Sequence, residues 1–157
     1  MDKKHDQFLQ RAIDLASTNV RNNNGGPYGA VVVKKGEIIA ESGNRVTSDL
    51  DPTAHAEILT IRLACKVLND FRLTGCTLYS SCEPCPMCLG AIYWARLKKV
   101  YFACDRQDAA QAGFDDHFIY EEILLHPEKR QIPMLHVELL DAQKPFHDWN
   151  EKKGILY

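Results

Sequence analysis

Apolar and polar positions along the chain follow two periods, one of helices and one of strands. Phe8, Leu9, Ala12, Ile13, Leu15 and Ala16 recur at helical spacing and predict an amphipathic helix over 7–21. It stops at Asn22-Asn23-Asn24-Gly25-Gly26-Pro27, a run of turn formers. Two short β-branched runs, Ala30 to Val33 and Glu37 to Ser42, follow and are joined through Lys34-Lys35-Gly36 as a hairpin. Asp51-Pro52-Thr53 reads as the start of a second helix, continued by Ile58, Ile61, Arg62, Cys65 and Leu68. Thr77 to Tyr79 reads as a buried strand. Cys82-Glu83-Pro84 opens a third helix running to Trp94, and Lys99 to Ala103 forms another strand. Asp105 to Ala112 and 117–125 have helical character. Pro127 and Pro133 punctuate this half, and Met134 to Leu139 predicts a last strand before a C-terminal helical segment.

Strands alternating with helices predict an α/β sheet covered on both faces, with no linker, repeat or low-complexity tract. At 157 residues the expectation is one domain over 1–157. Hydrophobic residues at 45% and charged residues at 25% are those of a globular chain and argue against disorder. A formal net charge of -2 offers no field for gathering phosphate backbones, so nucleic acid is not an expected partner. No apolar run follows the charged start Met1-Asp2-Lys3-Lys4 or reaches membrane-spanning length, so no membrane partner is expected and the predicted location is cytoplasmic.

The cysteines change the picture. Of six, Cys82, Cys85 and Cys88 crowd into one stretch, which favours metal binding over a disulfide framework. Catalytic zinc takes three protein ligands and keeps a fourth position open, with nitrogen and sulfur as preferred donors. His55, Cys85 and Cys88 supply that set; the two cysteines, three apart, share one face of a helix. At a helix start, unpaired N–H groups also favour anionic sulfur. Glu57 is a poor ligand for such a site but a suitable acid and base. Residues two apart point to different sides of a helix, so joint action of His55 and Glu57 requires the site to lie at the helix end. The rival reading is a closed structural zinc site with Cys82 as fourth ligand, which leaves Glu57 without a purpose.

His55-Ala56-Glu57 with Pro84-Cys85-Pro86-Met87-Cys88 matches the H-x-E and P-C-x-x-C signature of zinc nucleobase deaminases. Together with Gly25-Gly26-Pro27-Tyr28-Gly29-Ala30, the run Ser81 to Arg96 and Ala112-Gly113-Phe114-Asp115-Asp116, it makes the chain resemble the cytidine deaminase superfamily. More narrowly, Ala112 to Ile119 resembles the bacterial guanine deaminases. The resemblance implies a three-layer α/β/α fold with a five-stranded mixed sheet. It also implies one zinc ion per subunit and a homodimer that exchanges its C-terminal segments, here about 133–157. The implied reaction is hydrolysis of guanine to xanthine and ammonia by zinc-bound hydroxide, with Glu57 as proton shuttle. Carried onto matching positions, Asn44 meets the purine carbonyl and ring edge, Tyr28 stacks beside it and Asp116 meets its amino group. Ala56 and Trp94 complete the substrate contacts, and Tyr157 seals the pocket from the other subunit. The family pattern has Phe at the position of Tyr28. Alternatives left open are a guanosine or triazine deaminase, a tRNA adenosine deaminase and a zinc-stabilised binding module without turnover.

Overall fold

The computed structural model describes residues 3–156; Tyr157 lies outside the described residues. Helix α1, Lys3–Arg21, starts before the expected position and buries Phe8, Ala12 and Ala16 along one stripe. Strand β1, Gly29–Lys34, turns into β2, Glu37–Gly43, through Lys35 and Gly36, both at positive φ as a tight hairpin turn requires. Gly29 has to be glycine for a steric reason: a Cβ there would sit 2.3 Å from the carbonyl oxygen of Ala12, so β1 lies directly on α1.

The second major helix begins later than the sequence suggests. Asp51 caps a turn rather than a helix: its Oδ1 accepts from the backbone N–H and the hydroxyl of Thr53 at 2.8 and 2.7 Å. A short helix α2, Val46–Asp49, precedes it, and α3 runs from Ala56 to Leu68 with His55 as its N-cap. Strand β3, Cys76–Cys82, leads to α4, Pro86–Trp94, whose N-cap is Cys85 and whose first position is proline. Strand β4, Lys99–Cys104, is followed by α5, Arg106–Gln111, closed by an Asp105/Asp108 capping box.

The strands form one mixed sheet in the order β2-β1-β3-β4, with β1 antiparallel to both neighbours and β3 parallel to β4. Val31, Val33 and Tyr79 pack against α1 on one face. Ala30, Val32, Ala40 and Leu78 pack with α3 and α4 residues such as Ile61, Ala64 and Ile92 on the other, giving three layers. The α/β fold is the expected one, but the described sheet has four strands, not five. Met134 to Leu139 forms no strand because the segment finds no ladder partner, and its side chains stay exposed.

The chain divides into two compact units, one ending at Asp116 and one beginning at His117. The second holds α6, His117–Leu124, a 3₁₀ turn at Pro127–Lys129 and α7, Lys144–Glu151. Arg130 ties α6 to the segment after it by donating to the carbonyls of Glu122 and Ile123. Among the described residues, no helix is long and apolar enough to cross a membrane.

Candidate active site and metal centre

Two helix starts converge to make the site. As N-cap of α3, His55 is extended, with φ -67 and ψ 152, so its ring swings clear of the helix while Glu57 remains in the first turn. Their opposed directions are reconciled at the helix end, as the spacing argument requires. Cys85 takes the same place on α4, with Cys88 one turn on. The Nδ1 of His55 lies 3.6 Å from the Cys85 sulfur and 3.5 Å from that of Cys88. A tetrahedral zinc with ordinary Zn–N and Zn–S bonds sets nitrogen and sulfur ligands about 3.6 Å apart, so the three donors fit that ion. Among the described residues they form the single cluster suited to a metal, which leaves a fourth corner open.

The electrostatics suit the same ion. The Cys85 thiol is drawn down to about 4, first by the hydrogen bond it receives from Cys88, against the opposing effect of burial, and then by His55. Cys88 is pushed up by its bond with Cys85 and by burial. His55 is raised, chiefly by its contact with Cys85.

Glu57 is buried at 5% exposure, and Ser80 donates to its Oε1 at 3.3 Å. Burial, reinforced by the negative charge of Cys85, lifts its carboxyl above the usual range. Cys82 is not part of the metal cluster: it ends β3 with its sulfur 3.5 Å from the carbonyl of Asp105.

A cleft of about 360 Å³ opens beside these residues, walled by Gly26, Tyr28, Asn44, Glu83, Phe114 and Asp116 among others. Asn44 is held from three sides. Its Oδ1 accepts from the N–H groups of Gly26 and Val46 at 3.2 and 3.1 Å, and its own carbonyl accepts from Asn19 at 2.7 Å. With the carbonyl side of the amide occupied, Asn44 offers the cleft a donor. Tyr28 meets Phe114 edge to face at 5.3 Å, and burial pushes its hydroxyl proton affinity upward. Asp116 is raised by burial and by the charge of Cys85.

Of the residues singled out from sequence, the structure thus brings His55, Glu57, Cys85, Asn44, Tyr28 and Asp116 to one cleft, with Cys88 behind it. Ala56 is fully buried in the core. Trp94, at the far end of α4 and 61% exposed, does not line the cleft. Sequence reasoning missed the Glu83–Arg106 pair, in which the guanidinium donates to both carboxylate oxygens, at 3.2 and 2.5 Å, on the cleft wall. It also missed Asn19, whose side chain ties α1 to Gly26 and Asn44. Neither carries a local signal, because each acts only through a residue remote in sequence.

Residues 2–104 match the cytidine and deoxycytidylate deaminase zinc-binding region, and the chain belongs to that family of zinc-dependent enzymes. Within it, the chain is 57% identical over 145 residues to guanine deaminase of Bacillus subtilis (strain 168), covering 92% of this chain and 93% of that one. The crystal structure of guanine deaminase from Bacillus subtilis superimposes with a TM-score of 0.92 at 56% identity, over 94% of each chain. A tRNA-specific adenosine deaminase of Agrobacterium fabrum is 51% identical over 76 residues, 48% of this chain and 50% of that relative.

Proposed function

We infer that this chain hydrolyses guanine to xanthine and ammonia, the reading supported by its likeness to guanine deaminase of Bacillus subtilis along almost the whole of both chains. The observation that carries it is one cleft holding a buried carboxyl, Glu57, beside the His55, Cys85, Cys88 cluster, with a donor in Asn44 and an acceptor in Asp116. Zinc held by the cluster supplies Lewis acidity that activates the attacking water. Glu57 accepts a proton from that water and passes it to the ring nitrogen beside the amine-bearing carbon. It then carries the second proton to the departing amine, so that ammonia leaves neutral. Asn44 donates to the purine carbonyl, Tyr28 and Phe114 flank the ring, and Asp116 accepts from the amino group. Ala56 sets the spacing between ligand and shuttle from within the core.

The same reading includes a cytoplasmic homodimer that exchanges residues 133–157. Its support is a free sheet edge at β4 and a C-terminal segment whose Leu135, Val137 and Leu139 are about 70% exposed in one chain. In that assembly the segment supplies the fifth strand, and no nucleic acid or membrane is engaged.

Ammonia release from guanine, guanosine, an aminotriazine and a tRNA wobble-loop adenosine tests the substrate. Guanine turns over fastest if the reading holds. Preferential turnover of tRNA overturns it in favour of the activity named for the relative that shares about half the chain.

A further inference from the structure

The last residues of the parallel strands β3 and β4 are both cysteines, and they are register partners: Cys82 faces Cys104. Side chains of paired residues in a parallel ladder project to the same face. Neighbouring strands stand about 4.8 Å apart, inside the separation of about 4.4–6.8 Å that a disulfide spans. The Cys82 sulfur already leans across, 3.5 Å from the carbonyl of Asp105, the residue after Cys104. Both cysteines border one cavity of about 460 Å³ that also touches α1 and α5. Cys104 is exposed to solvent whereas Cys82 is buried, an arrangement of one attacking and one resolving sulfur. Burial pushes the Cys82 thiol up to about 11, and the exposed Cys104 is the sulfur that a small disulfide reaches first.

We propose that Cys82 and Cys104 are a reversible oxidation site, closed into a disulfide by exchange with a low-molecular-weight disulfide. The Cys104 thiolate attacks the small disulfide, whose S–S bond breaks as one small thiolate leaves, giving a mixed disulfide on Cys104. Cys82 gives up its proton and attacks the Cys104 sulfur; the second small thiolate leaves and takes that proton. Two protein thiols are oxidised and one small disulfide is reduced to two thiols. Closing the bond turns the Cys82 sulfur away from the Asp105 carbonyl. Asp105 caps α5, and Cys82, Ala109, Gly113 and Asp116 all line the cleft, so the bond reshapes the substrate wall without touching the metal ligands.

Zinc-loaded full-length protein is incubated with oxidised glutathione, free thiols are blocked, and the peptides are mapped by mass spectrometry. The expected product links the peptide of Cys82 to that of Cys104, is undone by dithiothreitol and is absent from Cys104→Ala, which keeps the activity of the reduced enzyme. Glutathione remaining on Cys104, or links confined to other cysteines, overturns the proposal. The activity readout rests on the guanine reading: the linked form shows a severalfold higher KM for guanine with kcat nearly unchanged. A linked form with the KM of the reduced enzyme overturns the coupling to the cleft. The peptide map stands whatever the substrate, so failure of the one reading is distinguishable from failure of the other.

Discussion

In the proposed reaction turnover depends on Glu57, because the metal ligands bind an ion equally well in an enzyme or in a structural site. Glu57→Gln keeps the size and the bond from Ser80 but cannot carry protons. Ammonia release is expected to fall by about 10²–10⁴-fold, with zinc content by elemental analysis unchanged. Activity at the parent level would remove Glu57 from the chemistry. On the opposite side of the sheet edge, Arg11 and Glu41 form a charge-assisted pair, the Nε of Arg11 donating to Oε2 at 2.8 Å. Arg11 holds the Glu41 carboxyl below its ordinary range. A carboxyl depressed on folding stabilises the protein above its unfolded pKa and loses that contribution as pH falls through the folded value. The pair is largely exposed and screened, so Glu41→Gln should lower Tm at pH 7 by only about 1–2 °C. The difference from the parent should shrink to nothing on acidification below the glutamate range; a constant difference across pH would refute the electrostatic account.

At the scale of elements, the clearest signals in the sequence were those whose cause is local. The amphipathic stripe of α1, the Lys35-Gly36 hairpin and the cysteine spacing on α4 are each settled within a few residues, and each was legible. Helix α3 was placed too early because Asp51 can cap either a helix or a turn, and the choice falls to the turn through Thr53. The metal ligands could be read from donor chemistry. The setting of Asn44 could not, because the groups that orient it, Asn19, Gly26 and Val46, come from separate parts of the chain. Met134 to Leu139 is not a strand in the described sheet, because alternation of apolar residues specifies a face but not a partner. Helix α5 gives a test at this scale. Asp105 accepts from the N–H groups of Gln107 and Asp108 at 2.8 and 3.0 Å, and the Asp108 carboxylate accepts from the N–H of Asp105 at 2.9 Å. Asp105→Ala is expected to cost about 1 kcal/mol of stability, read from denaturant unfolding, and to raise KM more than it lowers kcat. An unchanged KM would show that the wall at Gly113–Asp116 stands without its helix.

For the whole molecule, the proposed exchange of C-terminal segments makes a sharp demand. Removing residues 133–157 should leave a chain that runs as a monomer in light scattering and has lost most of its ammonia release. A truncated chain that still dimerises and turns over guanine would exclude the exchange. The described features also divide by location. The ion-binding and proton-carrying groups sit at two helix starts, 55–57 and 85–88, inside the region matched by the family, which ends at residue 104. Phe114 and Asp116 lie beyond it, Tyr28 sits on the loop from α1 to β1, and Asn44 on the loop from β2 to α2. Motor and gripper are therefore carried on different pieces of chain. A lineage can exchange what it grips by rewriting short loops while the motor is inherited unaltered, which makes such a scaffold cheap to repurpose and its motifs poor witnesses to substrate.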